Sequence, residues 1–130
     1  MAKYSNFIVT KEFLDENQDT VFVFGDNLIR KGYGGAAILR DHPQAYGFIT
    51  KKYPSNDSDS FYGVHEYREM FKRELAYLEN NIKKDKNKTF YVSQLGGGLA
   101  NRYKIWELVI KHGLEYNLSK YENVVFLWDE

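Results

Sequence analysis

The sequence contains no cysteine. That excludes a disulfide framework and any thiolate metal site, and it suits a reducing compartment. Net charge is also missing: 18 Lys and Arg stand against 18 Asp and Glu. The basic excess of a dedicated nucleic-acid binder is therefore absent. No apolar run approaches the ~20 residues of a membrane span. The opening MAKYSNFIV has neither the apolar stretch nor the small-residue cleavage site of a secretory signal. There is no internal repeat and no low-complexity stretch. These absences lead to the expectation of a soluble, cytoplasmic protein with no membrane partner and no specific nucleic-acid partner.

What is abundant is aromatic, with eleven Tyr and nine Phe in 130 residues. A chain of this length defaults to one domain, and it can bury about two thirds of its unfolded surface. Thr20–Phe24 (TVFVF) reads as the clearest strand, β-branched and aromatic throughout and apolar on both faces, as in a covered parallel sheet. Thr89–Ser93, Val124–Trp128, Tyr46–Thr50 and an edge candidate, Phe7–Thr10, read as the others. Glu66–Ile82 carries Tyr67, Met70, Phe71, Leu75, Leu78 and Ile82 at helical spacing, and Ile105–Leu114 repeats the pattern. Gly34–Arg40 reads as a short helix ending before Pro43. Ser55–Ser60 and Lys83–Lys88 read as polar connections. Strands alternating with helices predict an α/β fold of three layers in a single domain, with a mostly parallel or mixed central sheet.

Two glycine-rich segments share one context. FGDNLIRKGYGGAAIL (Phe24–Leu39) follows the first strand and runs into a helix. QLGGGLAN (Gln94–Asn101) follows the strand Thr89–Ser93 and precedes the helix at Ile105. In a parallel sheet both emerge at the carboxyl ends of strands, the rim where α/β proteins bind ligands. Glycine removes the Cβ that keeps an anion off the backbone, and it permits the left-handed turns that converge N–H groups. A helix N-terminus adds unpaired amides and partial positive charge. Two such loops side by side are suited to gripping a diphosphate. Neither a Walker GxxxxGK[ST] nor a GxGxxG fingerprint is present.

These residues resemble a macro domain, the α/β module that binds ADP-ribose. The similarity lies in Asn27 followed by Gly34-Gly35-Ala36-Ala37-Ile38, then Gly96-Gly97-Gly98-Leu99 with Trp106 opening the last helix, and it covers most of the chain, from about Val21 to Trp128. The resemblance implies that Gly34, Gly35 and Ala36 cradle one phosphate. It implies that Gly96, Gly97, Gly98 and Leu99 cradle the other, and that Asn27 faces the distal ribose. The family's Gly-Asp-Ile opening segment does not precede Val21, and FGDN replaces its usual Asn-Ala-Asn. The deacylating branch has an acidic residue after the second loop's Leu. Ala100 and Asn101 stand there instead, which favours binding over hydrolysis.

The candidate ligand contacts are therefore Gly25, Asp26, Asn27, Gly34, Gly35, Ala36, Gln94, Leu95, Gly96, Gly97, Gly98, Leu99 and Asn101. For Asp26 and Asn27 the competing use is an Asx turn. Arg30, Lys31, Lys51 and Arg102 are candidate phosphate cations. Tyr33 and Tyr103 are candidate base-stacking rings, with core packing as their alternative. His42, His65 and His112 lie far apart and lack metal spacing; neither a metal nor a cofactor is expected, and no catalytic residue is assigned. The leading expectation is a protein that binds an ADP-ribose-like nucleotide. A sequestering role, such as a phage product taking up a bacterial immune nucleotide, is one form of it. The alternatives are a small hydrolase of ADP-ribose conjugates or the 1″-phosphate, and an interaction domain without a ligand.

Overall fold

The computed structural model describes residues 3–130. Its centre is a four-stranded sheet, all parallel, in the order β2-β1-β3-β4. The strands are β1 (Thr20–Asn27), β2 (Ala45–Lys51), β3 (Thr89–Val92) and β4 (Val124–Phe126). The helices are α1 (Lys11–Glu16), α2 (Val64–Lys84) and α3 (Lys111–Leu118). The fold is thus the expected α/β arrangement of three layers.

Successive side chains of a strand point to opposite faces, and β1 supplies both cores. Val23 enters the larger cluster with Tyr67, Phe71, Leu78 and Ile82 of α2 and Leu114 and Leu118 of α3. Phe22 and Phe24 enter the smaller one with Val9, Leu14 of α1, and Ala37. Gly113 allows α3 to close on α2: a Cβ there would stand 2.4 Å from the Phe71 ring.

The outer edge of β2, where no further strand of the described residues pairs, is stoppered by side chains. Glu74 Oε1 accepts from the Ile49 amide at 2.7 Å, and the Tyr67 hydroxyl donates to Ile49 O at 2.6 Å. Arg30 Nη1 donates to Gly47 O at 3.0 Å. Edge strands left open invite pairing with another chain, and these bonds occupy the groups that would do so.

Several elements differ from the sequence expectations. Phe7–Thr10 is not a strand, because no ladder reaches it. The edge of β4 is taken by residues that precede Phe7: Tyr4 bridges Phe126 in parallel, with Ser5 N donating to Phe126 O at 2.9 Å. Thr10 instead caps α1, its hydroxyl accepting from Phe13 N at 3.1 Å. Gly34–Arg40 is a single 3₁₀ turn over Gly35–Leu39. The last helix opens as a π turn over Trp106–Ile110 and runs on to Leu118. β4 stops at Phe126, although Leu127 N still donates to Val92 O at 2.9 Å. β1 extends through Gly25, Asp26 and Asn27, so these residues belong to strand rather than loop.

The connections fix where a ligand can sit. From β1 the chain passes to β2 by way of the 3₁₀ turn, whose Ala37 packs in the smaller core. From β3 it passes to β4 on the other side, through Trp106, Ile110 and α3 in the larger core. β1 and β3 are neighbours, so their carboxyl-terminal loops part to opposite faces of the sheet. That point of divergence leaves a crevice, the usual ligand position in open α/β sheets.

Candidate functional site

The crevice is a cleft of about 530 Å³, and residues from both glycine segments line it. The second loop touches the end of β1 at its floor. A Cβ on Gly25 would lie 3.2 Å from Thr50 Oγ1 and 3.7 Å from the Gly96 amide nitrogen. From the first segment Gly25, Asp26, Asn27, Gly34, Gly35 and Ala36 are on the wall; from the second, Gln94, Gly96, Gly98 and Leu99. Lys31, Tyr33 and Lys51 also reach it.

The glycines are not equivalent. Gly96 has φ +73°, and an added Cβ would meet Ile110 Cδ1 at 2.8 Å. It is required by the fold, because the loop is pressed onto the π turn. At Gly97 the space is filled by the Gln94 side chain, 2.7 Å from an added Cβ. Gly34, with φ −76°, and Gly98 have nothing within 4 Å of that position. At these two positions neither backbone nor packing calls for glycine. What the missing side chain does there is leave the main chain bare to the cleft.

The amides near them are available. The first amide of the 3₁₀ turn that donates is Ala37, to Gly34 O at 3.1 Å. Those of Gly35 and Ala36 precede it and make no hydrogen bond among the described residues. In the second loop Gly97 donates to Gln94 O and Asn101 to Gly98 O, while Gly98 and Leu99 donate to no described group.

Three expected contacts lie off the wall. Leu95 is fully buried in the larger core. Gly97 is covered as described. Asn101 caps the last helix: its Oδ1 accepts from Trp106 N at 2.9 Å and its Nδ2 donates to Glu107 Oε1 at 2.8 Å. A helix N-terminus therefore does not open directly from either glycine run. The first run leads into a 3₁₀ turn of five residues. The second is separated from Trp106 by residues 99–105, and Asn101 already occupies that end.

Asp26 and Asn27 are engaged with the protein. Asp26 Oδ2 meets Arg30 Nη1 at 3.0 Å, and its Oδ1 meets Arg40 Nη1 at 2.7 Å and accepts from Asn27 N at 2.8 Å. Asn27 Oδ1 accepts from Ile29 N at 3.1 Å, the Asx turn, and its Nδ2 donates to Lys31 O at 2.7 Å. Arg30 holds a left-handed backbone, φ 59°, and faces the β2 edge rather than the cleft. Arg102 and Tyr103 pack with Phe61, the guanidinium 5.6 Å from its ring centroid and the tyrosine ring 6.5 Å away edge-on. His42 binds Asp15 at 2.8 Å, and His112 stacks on Tyr116 with centroids 6.0 Å apart.

The cleft is positive although the chain is neutral. Lys31, Lys51 and Arg40 line it, and Asp26 is the acid among the lining residues. Neither lysine pairs with a carboxylate among the described residues. Lys51 Nζ sits 4.9 Å above the Phe61 ring, and burial holds its pKa below the ordinary lysine value. An anion beside it recovers the stabilisation that lost hydration removed.

Sequence reasoning missed Arg40, Pro54, Asn56 and Ser93 on this wall. Arg40 carried a signal only in being the last residue of the expected short helix.

The chain matches, over residues 4–103, the model of a family described as "Family of unknown function (DUF7831)". No curated protein and no solved structure matches it. The matched stretch includes both glycine loops and ends at Tyr103.

Proposed function

The chain belongs to the DUF7831 family, and we propose, from the geometry of its cleft, that it binds an ADP-ribose-like nucleotide, its diphosphate held between the two glycine loops. One observation carries the reading. Both loops line a single positive cleft, and Gly34 and Gly98 are bare toward it for no reason of fold. The free amides of Gly35, Ala36, Gly98 and Leu99 are the donors for phosphate oxygens. Lys31 and Lys51 supply the charge.

Binding without turnover is the preferred form. The carboxylate on the cleft wall, Asp26, is committed to two guanidinium groups. Ala100 offers no acid–base group, and His42 is turned to Asp15. General acid–base chemistry needs a group free to exchange a proton with the ligand. The sequestering role is the consequence if ligand is recovered unchanged.

The test is titration of the protein with ADP-ribose, followed by mass spectrometry of the recovered nucleotide. Saturable binding with intact ligand supports the reading, and a ligand at ~100 Kd adds about 2.7 kcal/mol to stability. Turnover selects the hydrolase. A melting temperature unmoved by any nucleotide diphosphate selects the interaction domain.

A further inference from the structure

We propose that Arg40 is the positioning residue of the first glycine loop, with Asp26 as its anchor. Four contacts fix the guanidinium. Nη1 meets Asp26 Oδ1 at 2.7 Å, Nε donates to Gly32 O at 2.8 Å, Nη2 donates to Lys31 O at 3.2 Å, and the group lies 5.4 Å from the Phe24 ring centroid. Its side chain is 12% exposed and that of Asp26 2%, so the pair is part of the wall.

The consequence for the loop follows from peptide geometry. A trans peptide holds its C=O and N–H antiparallel. Drawing the carbonyls of Lys31 and Gly32 onto Arg40 turns the amides of Gly32 and Tyr33 the opposite way. Gly32 accepts this with φ +100°. Arg40 also ends the 3₁₀ turn, its own amide donating to Ala37 O at 3.0 Å. Its side chain thus joins the end of residues 32–40 back to their beginning, with Gly34, Gly35 and Ala36 inside the closure. A segment with three glycines in four residues would otherwise sample many conformations. Arg40 selects one before any ligand arrives.

A lysine cannot substitute. It keeps the charge opposite Asp26, but one nitrogen cannot reach an acid and two carbonyls in the planar fork that arginine provides. The loop-ordering claim stands by itself; its effect on affinity rests on the nucleotide-binding reading.

The experiment compares the wild type with Arg40→Lys by two readouts: hydrogen exchange, without ligand, of the amides at positions 37 and 40, the hydrogen-bonded donors of the loop, and affinity for ADP-ribose. The expected result is exchange at least about tenfold faster in the loop alone and affinity about tenfold weaker, the loss of one charge-assisted hydrogen bond acting through the competent fraction. Unchanged exchange with wild-type affinity overturns the proposal. If the wild type does not bind ADP-ribose, the nucleotide reading fails and exchange alone decides the role of Arg40. Should Arg40→Lys not fold, the double variant Asp26→Asn, Arg40→Gln removes both charges together and is read in the same way.

Discussion

Replacing Gly34 with alanine separates two reasons for having a glycine. At Gly34 the backbone has φ −76° and ψ 142°, ordinary for any residue, and nothing lies within 4 Å of an added Cβ. If only the fold mattered, alanine would be the better residue: the unfolded chain loses freedom and stability rises by about 0.4–1 kcal/mol. For a domain of this size that raises Tm by about 1–5 °C. The same methyl group stands on the cleft wall beside the free amides of Gly35 and Ala36. Displacing a phosphate from one of them removes a charge-assisted bond of about 1.5–3 kcal/mol, tenfold or more in Kd. Gly34→Ala is therefore expected to melt at or above the wild-type temperature and to bind ADP-ribose at least about tenfold more weakly. The assays are a thermal melt without ligand and isothermal titration with it. Gly96→Ala is the contrast. With φ +73° and Ile110 Cδ1 at 2.8 Å from the new Cβ, it is expected to destabilise by about 1–3 kcal/mol. A Gly34→Ala protein that binds like the wild type, or that melts well below it, refutes the reasoning.

Lys51→Gln is expected to weaken nucleotide binding and to flatten its dependence on salt, since a cation facing the anion is removed; titrations at two ionic strengths measure this. Asn101→Ala deletes the cap on Trp106 and is expected to cost about 1 kcal/mol in urea unfolding with ADP-ribose affinity unchanged, because Asn101 lies off the cleft. Burial raises the Tyr67 pKa well above 10.0, and Tyr4 and Tyr121 are raised to about 12. The folded protein therefore holds more protons than the unfolded chain once pH passes 10.0, so stability is full below that pH and falls above it, toward the raised values. Tyr67→Phe is expected to lower stability near neutrality by about 1–3 kcal/mol, leaving Ile49 O without its donor, and to make the decline above pH 10 shallower in melts from pH 9 to 11.

The parts of the fold that the sequence revealed are those whose signal is local. β1 and β3 are β-branched and aromatic runs, and α2 repeats its apolar stripe over five turns. α1 is six residues long, too short for a periodicity. The pairing of Tyr4 with Phe126 joins residues at opposite ends of the chain, and no neighbour in sequence signals it. The cleft was similarly half legible. Glycine runs after strands pointed to the correct rim, but three consecutive glycines look alike in sequence. Only packing distinguishes Gly96 on Ile110, Gly97 beneath Gln94, and Gly98 in the open. Asn101 read as a ligand contact because its capping partner lies five residues on, past a left-handed Lys104 at φ 64°. The role of Arg40 had no local signal beyond its place at the end of the short helix, because its contacts with Asp26, Lys31 and Gly32 are a property of the folded loop.

The central claim is that both glycine loops hold one ligand. Amide chemical shifts recorded while ADP-ribose is added test it most directly. Gly34, Gly35 and Ala36 are expected to move together with Gly96, Gly98 and Leu99, all along one saturation curve. Shifts confined to one loop, or two loops following different curves, would contradict it.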